Sequence, residues 1–329
     1  MTEPGSAALP GPPATQPLPH WPGRPVELGD HQVYVRSVSG DGGEPALGEP
    51  ALCVHGLAGS SRNWTDLMDL LRPRLACDAL DLPGFGDSSP RPDGRYSIAA
   101  MAQTVTALIE RRGTSPVHLI ANSLGGAVAV KVAATRPDLV KTLTLISPAL
   151  PDSRPRLDLI RFPLISLPRV GTRLLRKYQA LPPETRVADV IATCYSDPAR
   201  FPRARFAVEV AELARRDTLD YATAALVSSV RTLTAEFFRA RAWRDAERIT
   251  APTLIIYGAH DRLVDPRLAG RAAHAFPGAR ILVLPRTGHL AHMEHPALVA
   301  DEIEVLLGNS RWRPPVDRGA GRDAPSPVR

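Results

Sequence analysis

A serine at a predicted junction between a strand and a helix is the residue around which chemistry could be organised. Val117 to Ile120 is a run of β-forming residues after Pro116, and Gly125 to Ala134 is a run of small, helix-compatible residues. The hydrophobic pattern therefore changes type close to Ser123. A serine at such a bend stands above both elements in a strained backbone conformation, which non-glycine residues keep mainly where function requires it. Ser123 is therefore a candidate nucleophile.

The neighbours of Ser123 fit a nucleophile elbow with one departure. In the G-x-S-x-G elbow, small residues two positions before and after the serine let the strand and the helix approach closely. Gly125 occupies the second of these positions, and Ala121 stands where the first glycine is expected. A single methyl group is small enough to keep the geometry. The pattern by itself fits an ordinary tight turn equally well.

A carboxylate and an imidazole follow two later predicted strands. Asp261 lies in the loop after the strand Thr253 to Gly258, and His289 lies in the loop after the strand Ala279 to Leu284. Parallel neighbours deliver such loops to one edge of a sheet, where both side chains can meet Ser123. A serine hydroxyl hardly ionises at neutral pH and needs a base, and a buried carboxylate orients that base. The expected roles are nucleophile for Ser123, base for His289 and acid for Asp261, in the order Ser, Asp, His.

Other acids and histidines offer alternatives to these assignments. Asp265 lies on the same loop as Asp261, and Asp152 follows the preceding strand, so that each is an alternative acid. His292 and His295 lie close to His289, but the spacing is not that of a metal site. We expect neither a metal nor a cofactor, and we assign no chemical role to His292 or His295.

The elements that must position these residues alternate along the chain. Short buried strands and amphipathic helices fill 26–148, beginning with a hairpin at 26–38, and resume over 249–309. This alternation is typical of an α/β fold with a mostly parallel sheet and helices on both faces. Residues 149–248 show helical patterns without a convincing buried strand, which predicts a helical cap over the C-terminal edge of the sheet. The Pro- and Gly-rich ends, 1–25 and 310–329, are predicted to be disordered.

Five motifs occur in order along the chain. They are His55-Gly56, Asp81-Leu82-Pro83-Gly84-Phe85-Gly86-Asp87-Ser88, the elbow at Ser123, Gly258-x-x-Asp261, and Gly288-His289 with Glu294 and Pro296 behind it. Together they resemble the α/β-hydrolase fold superfamily, over roughly residues 25 to 310. The resemblance implies a serine hydrolase whose oxyanion hole uses the backbone N–H groups of Leu57 and Leu124. We interpret His55 as a structural residue of its loop, Asp81, Gly84 and Ser88 as parts of a turn under the site, and Asn122 as a hydrogen-bonding residue within the elbow.

The same resemblance narrows the reaction. Epoxide hydrolases and haloalkane dehalogenases of this fold use a carboxylate where this chain has Ser123. Carbon–carbon hydrolases of ring-cleavage products usually follow His-Gly with Gly-Pro-Gly and the catalytic histidine with tryptophan, whereas this chain has Leu57-Ala58-Gly59 and Leu290. The resemblance therefore implies a carboxylesterase or lipase acting on a small or medium apolar acyl ester. Carbon–carbon, thioester or amide hydrolysis stays an alternative, and so does a ligand sensor with little turnover.

The composition of the chain limits the kinds of binding partner and the cellular location that we expect. The chain has 329 residues and 44% hydrophobic residues, and it has no apolar run long enough for a transmembrane helix. Its net charge of +6 is spread along the chain and only 5% of residues are aromatic, so we expect a small-molecule partner and no nucleic acid. Cys53, Cys77 and Cys194 are odd in number, and no secretory signal is recognisable, which predicts a cytoplasmic location. The cap also contains a basic amphipathic segment, which we interpret as cap surface rather than a membrane contact, with apolar residues Leu157, Ile160, Leu164, Leu167, Leu174 and Leu175.

Overall fold

The structure, a computed structural model, describes residues 17–38, 48–152, 167, 170–239 and 241–308. These residues form an eight-stranded sheet whose strands are β1 (Gly23–Leu28), β2 (His31–Ser37), β3 (Glu49–Val54), β4 (Leu75–Leu80), β5 (Val117–Asn122), β6 (Val140–Ile146), β7 (Thr253–Gly258) and β8 (Arg280–Leu284). The spatial order is β1-β2-β4-β3-β5-β6-β7-β8. The first three strands in this order pair antiparallel and all later neighbours pair parallel. The predicted α/β class with a mostly parallel sheet is confirmed.

Helices cover both faces of this sheet. Those of the core are α1 (Thr65–Leu71), α2 (Ile98–Arg112), α3 (Leu124–Thr135), α9 (Leu268–Ala275), α10 (Ala291–Glu294) and α11 (Pro296–Gly308). One large hydrophobic cluster joins the sheet to α2, α3 and α9, and a second joins the opposite face to α1 and α11. The sheet therefore carries a core on each side, as its continuous runs of buried residues require.

Between β6 and β7, the regular elements of the described residues are all helical. They are α4 (Val170–Gln179), α5 (Pro183–Cys194), a 3₁₀ turn at Pro198–Arg200, α6 (Arg203–Asp217), α7 (Ala222–Arg239) and α8 (Arg241–Ala246). Because the chain leaves the sheet at the C-terminal end of β6 and returns to form β7, these helices interrupt the alternation of strands and helices. Leu157, Ile160 and Leu164 of the predicted amphipathic segment lie outside the described residues.

The start of the first strand differs from the sequence-based expectation. Gly23, Arg24 and Pro25 belong to β1, although they were predicted to be part of a disordered arm. Just before them, the indole N–H of Trp21 donates to the carbonyl oxygen of Thr65 at 3.0 Å. Backbone pairing with β2 orders this segment in spite of its proline content, because Pro25 lies on an edge strand, where a missing N–H is tolerated.

Among the helices of the described ranges, none combines the length and apolar character needed to cross a lipid bilayer.

Candidate active site

Ser123 lies at a sharp turn between β5 and α3. Its backbone has φ 53° and ψ −117°, a conformation that is strained for a residue with a side chain. Two hydrogen bonds to its carbonyl oxygen hold this geometry, from the amide of Ala127 at 3.2 Å and from that of Ala149 at 2.9 Å. The expected bend at the candidate nucleophile is therefore present, and the rest of the fold maintains its strain.

Close packing explains the small residues around Ser123. A Cβ atom on Gly125 would lie 2.4 Å from the carbonyl oxygen of Val54, so that only glycine lets α3 approach β3 this closely. Ala121, which replaces the other expected glycine, is fully buried in β5 and packs within the core. Its methyl group is accommodated there. The departure from the elbow pattern therefore leaves the turn intact.

His289 and Asp261 form a buried hydrogen-bonded pair. The Nδ1 atom of His289 lies 2.8 Å from Oδ2 of Asp261, and the two residues are 4% and 1% exposed. Oδ1 of Asp261 accepts from the amides of Leu263 at 2.8 Å and Val264 at 2.9 Å. Burial opposes ionisation of Asp261, but the charge and hydrogen bond of His289, together with these amides, hold the pKa of the carboxyl below its ordinary value. An ionised carboxylate only accepts, so Nδ1 of His289 carries the proton and Nε2 is the basic nitrogen.

Two glycines bring the loops of Asp261 and His289 together. A Cβ atom on Gly258, at the end of β7, would lie 2.1 Å from the carbonyl oxygen of Gly288, which precedes His289. The amide of His260 donates to the carbonyl oxygen of Thr287 at 2.9 Å, continuing the pairing of β7 and β8 into these loops. The backbones therefore touch where the acid and the imidazole leave their strands.

Asn122 connects the elbow to the histidine loop. Its side-chain amide donates to the carbonyl oxygen of His289 at 3.2 Å and to that of Ile146 at 3.0 Å. The residue was expected to bond within the elbow, whereas it reaches across to the neighbouring strand and to the loop of the imidazole. Among the hydrogen bonds of the described residues, none joins the hydroxyl of Ser123 to the ring of His289. Asn122 therefore links the elbow to the backbone of His289, although the side chains of Ser123 and His289 are not bonded to each other.

The first loop, which follows β3 and contains His55, Gly56 and Leu57, presents the N–H group of Leu57 in a fixed direction. Nε2 of His55 accepts from the amide of Leu82 at 2.9 Å, so its Nδ1 carries the proton and donates to the carbonyl oxygen of Gly56 at 2.7 Å. The amide of Gly59 donates to the same oxygen at 3.1 Å. Because C=O and N–H point in opposite directions across a trans peptide, these bonds fix the direction of the Leu57 N–H. Burial lowers the pKa of His55 to about 4, which agrees with a neutral structural residue.

The second expected oxyanion donor lies at the start of α3. Leu124 is the first residue of this helix, and the first N–H groups of a helix have no partner within it. The first loop lies against the elbow, because a Cβ atom on Gly56 would be 2.9 Å from Cβ of Ser123. Leu57 and Leu124 therefore flank the candidate nucleophile.

Asp81 stabilises the turns behind the first loop. Its carboxylate accepts from the amides of Ser61 at 2.5 Å and Asp87 at 2.8 Å, while its carbonyl oxygen accepts from the hydroxyl of Ser88 at 2.6 Å. A side chain on Gly86 would collide with this carboxylate, at 2.2 Å from Oδ2. Burial raises the pKa of Asp81, and the amides offset this in part. These contacts agree with a structural role.

The alternative acids are engaged elsewhere. Asp265 accepts from the backbone amide of Arg267 at 2.9 Å and from its guanidinium at 2.6 Å, at the start of α9. Asp152 also lies near this arginine and, after Asp265, contributes to raising its pKa. The carboxylate bonded to the ring of His289 is that of Asp261.

The other two histidines of the last motif point to different partners. The ring of His292 is stacked on that of Trp64, with centroids 4.2 Å apart. Burial lowers the pKa of His292 to about 3, with a smaller contribution from His289. Nε2 of His295 lies 3.3 Å from the carbonyl oxygen of Arg286. Within the described ranges, no group of three or more His, Cys, Asp or Glu side chains is arranged to hold a metal ion.

Glu294 has a role that the sequence did not reveal. Its buried carboxylate accepts from the amide of Gly288 at 2.7 Å, and from those of Ser196 at 3.2 Å and Asp197 at 3.0 Å, just after α5. The amide of His289 donates to the carbonyl oxygen of Cys194 at 2.7 Å. Glu294 therefore ties the loop of the imidazole to the segment between β6 and β7. Its place in the last motif was visible, but its partners lie far away in the chain.

Apolar side chains surround this junction. A third hydrophobic cluster, separate from the two sheet clusters, joins α5 and α6 to residues that neighbour Asp261 and His289 in sequence. Its members are Val187, Ile191, Cys194, Tyr195 and Phe201, with Phe206, Val210, Leu213, Leu263, Leu290 and Met293 packed against them. The residues next to the acid and the imidazole in the chain are thus packed in an apolar cluster with α5 and α6.

Known proteins resemble this chain in sequence. It is 28% identical over 287 residues to the dihydrolipoyllysine-residue acetyltransferase component of the acetoin cleaving system of Pseudomonas putida, covering 86% of this chain and 68% of that protein. It is 26% identical over 269 residues to Lipase 3 of Moraxella sp. strain TA144, covering 81% and 78%. It is 25% identical over 266 residues to the 2-hydroxy-6-oxononadienedioate/2-hydroxy-6-oxononatrienedioate hydrolase of Cupriavidus pinatubonensis, covering 79% and 87%.

Solved structures share the fold. The crystal structure of a putative lipase, Lip1, from Acinetobacter baumannii AYE superimposes with a TM-score of 0.71 at 21% identity, covering 87% of this chain and 90% of that one. Residues 50–296 match the family described as the alpha/beta hydrolase fold, which includes the elbow and the loops of Asp261 and His289. The chain therefore belongs to the alpha/beta hydrolase fold family.

Proposed function

We propose that this protein hydrolyses carboxylic esters of small or medium apolar acyl groups, with Ser123 as nucleophile, His289 as base and Asp261 as the orienting acid. The observation that carries the proposal is the buried bond between His289 and Asp261, because it leaves Nε2 as the basic nitrogen in a loop joined by Asn122 to the strained Ser123. The lipases among the relatives and the apolar cluster beside the site support an apolar acyl group.

In the proposed reaction, Nε2 of His289 takes the proton of Ser123 as its Oγ attacks the ester carbonyl. The developing oxyanion accepts hydrogen bonds from the amides of Leu57 and Leu124. His289 then gives the proton to the departing alcohol, which leaves an acyl group on Ser123. Water, deprotonated by His289, attacks this acyl-enzyme, and His289 returns the proton to Oγ of Ser123 as the bond to the acyl group breaks and the acid is released. The Ser123 side chain must turn towards Nε2 for the first step, and catalytic hydrogen bonds commonly tighten only in the complex with substrate.

Covalent labelling tests the nucleophile. A fluorophosphonate probe should label the protein, and the label should disappear in Ser123→Ala while the circular dichroism spectrum is unchanged. Ser147→Ala is a matched control, since Ser147 also follows a buried strand and has a positive φ of 43°. A folded wild-type protein that takes up no label would contradict the enzymatic proposal and favour a ligand sensor.

The relative from Cupriavidus pinatubonensis supports a second candidate, hydrolysis of a carbon–carbon bond in a ring-cleavage product. Turnover of p-nitrophenyl esters of increasing acyl length should be compared with that of a ring-cleavage dienoate. We expect the esters to give the higher kcat/KM, because Leu57, Ala58 and Leu290 replace residues typical of the carbon–carbon hydrolases. Faster turnover of the dienoate would reverse this ranking.

A further inference from the structure

A cation on α6 lies against the loop of the candidate oxyanion hole. Arg216 donates from Nη1 to the carbonyl oxygen of Ala58 at 2.8 Å. Ala58 directly follows Leu57 and has a positive φ of 60°, so the chain turns sharply at this contact. The guanidinium of Arg216 also lies close enough to His55 to contribute to lowering its pKa, after burial. The charge is therefore held next to the loop that presents the N–H group of Leu57.

No carboxylate of the described residues forms a close ion pair with Arg216. Ion pairs within 4.0 Å link Arg62 to Glu212 at 3.0 Å and Arg215 to Glu212 at 2.8 Å, but none in the described part of the chain includes Arg216. Glu209, two turns earlier on α6, also acts on Arg216 through its charge, but no ion pair within 4.0 Å joins the two residues; burial raises the pKa of Glu209, and Arg216 is among the cations that oppose this. Burial lowers the pKa of Arg216, and Glu212 and Asp81 offset this only in part.

The hydrogen bond to Ala58 uses only one of the N–H donors of Arg216. A guanidinium has five N–H donors in a planar fork that matches the two oxygens of a carboxylate. A neutral amide could equally hold a backbone carbonyl, so this contact does not itself require a charge. The charge and the other N–H donors of Arg216 are therefore left for a partner beyond the backbone of Ala58.

We propose that Arg216 binds a carboxylate of the substrate, so that the favoured esters carry, in addition to their apolar part, an anionic group close to the reacting carbonyl. This inference rests on the proposed ester hydrolysis, because that reaction directs the carbonyl oxygen to the amide of Leu57, one residue before Ala58. The apolar cluster described above contacts the remaining, uncharged part of the substrate. Arg216 is therefore a determinant of specificity, and the chemistry itself belongs to Ser123, His289 and Asp261.

Two pairs of esters that differ in charge test the proposal. The first pair is mono-p-nitrophenyl glutarate and p-nitrophenyl valerate, in which the charge lies on the acyl side. The second pair is 4-acetoxybenzoate and 4-acetoxybenzamide, in which it lies on the alcohol side. The measured quantity is the ratio of kcat/KM for the charged and neutral ester of each pair. Arg216→Gln removes the charge and keeps a donor for Ala58.

We expect Arg216→Gln to lower this ratio about tenfold in at least one pair, mainly through KM, as for the loss of one charge-assisted hydrogen bond. Arg203→Gln is the matched control. Arg203 is exposed at the start of the same helix, about 20 Å away along its axis, and has no hydrogen bond or ion pair among the described residues. This variant should leave both ratios unchanged, which separates local binding from long-range attraction of anions.

Other outcomes overturn the inference. If Arg216→Gln slows the charged and neutral esters equally, Arg216 only holds the loop at Ala58. If Arg216→Gln changes neither the rates nor the ratios of either pair, the carboxylate is not recognised by Arg216, and the proposed ester hydrolysis survives. Absence of turnover for all four esters by the folded wild-type protein would overturn both proposals.

Discussion

Nδ1 of His289 lies 2.8 Å from Oδ2 of Asp261, while Oδ1 of the same carboxylate is held by the amides of Leu263 and Val264. Both oxygens of Asp261 are therefore engaged, and the carboxylate cannot turn without breaking hydrogen bonds. The imidazole is fixed in the tautomer that leaves Nε2 unprotonated. The first prediction therefore concerns the loss of the negative charge of Asp261.

Asp261→Asn should lower kcat for ester hydrolysis by about 10⁴-fold, since an amide in place of the carboxylate favours the wrong tautomer of His289 and cannot stabilise its protonated form. The thermal unfolding midpoint should change little, because asparagine has nearly the same shape and keeps an oxygen for the backbone amides. Steady-state kinetics and a thermal melt measure the two quantities.

Asp265→Asn is the matched control for this prediction. Asp265 lies on the same loop, but it is paired with Arg267 at the start of α9. We expect activity to stay within about threefold of the wild type, since Asp265 is paired with the exposed Arg267 and the carboxylate bonded to His289 is that of Asp261. If Asp265→Asn abolished activity while Asp261→Asn did not, the acid would be misassigned.

Gly56→Ala should lower kcat strongly. The new methyl group would lie 2.9 Å from Cβ of Ser123 and from Oδ1 of Asn122, so either the first loop or the elbow must move. Movement of either disturbs the distance between the nucleophile and the amide of Leu57, and a lost oxyanion donor costs about 10² to 10³ in kcat. The rate of acyl-enzyme formation, followed by stopped-flow release of p-nitrophenol, measures this loss.

Ala121→Gly provides the comparison on the other side of the elbow. It restores the expected glycine, and the removed methyl group is fully buried in β5. We expect activity to be retained and the free energy of unfolding to fall by about 1 kcal/mol, from the added flexibility and the lost packing. If Gly56→Ala and Ala121→Gly lowered kcat equally, the loss in Gly56→Ala could not be assigned to the close approach of Gly56 to Ser123.

The stability of the protein should decrease in mild acid because two buried histidines are neutral in the folded state. The pKa of His55 is lowered from 6.5 to about 4, and that of His292 to about 3. Between these values and 6.5 the unfolded chain binds protons that the folded chain excludes. The free energy of unfolding therefore falls as the pH is lowered from about 6.5 towards 4, with a limit of about 3 kcal/mol for each histidine.

His292→Phe should remove part of this acid sensitivity. Phenylalanine can stack on Trp64 as His292 does, and Nδ1 of His292 has no hydrogen-bond partner that would be lost. Urea unfolding at pH 7.5 and pH 4.5 should give a smaller difference for the variant than for the wild type. An unchanged difference would show that His292 does not titrate on unfolding in this range.

Glu294→Gln should loosen the connection between the histidine loop and the segment after α5. The carboxylate accepts three backbone hydrogen bonds, from Gly288, Ser196 and Asp197, and an amide nitrogen in place of one oxygen opposes at least one of these donors. We expect a loss of about 1 to 3 kcal/mol in the free energy of unfolding. The amides of Ser196 and Asp197 should exchange hydrogen faster, which native-state exchange with mass spectrometry measures. Unchanged exchange at both amides would contradict this role.

The sequence by itself determined the alternation of strands and helices, the bend at Ser123 and the strand ends at Asp261 and His289. These features are local, because hydrophobic periodicity and glycine positions act over a few residues. The sequence favoured Asp261 over Asp265 only through their distances from the end of β7. It gave no partner to Glu294 or Arg216. Only the tertiary structure decided these points, since a hydrogen bond between residues far apart in the chain depends on how strands, loops and helices pack, and no local pattern records it.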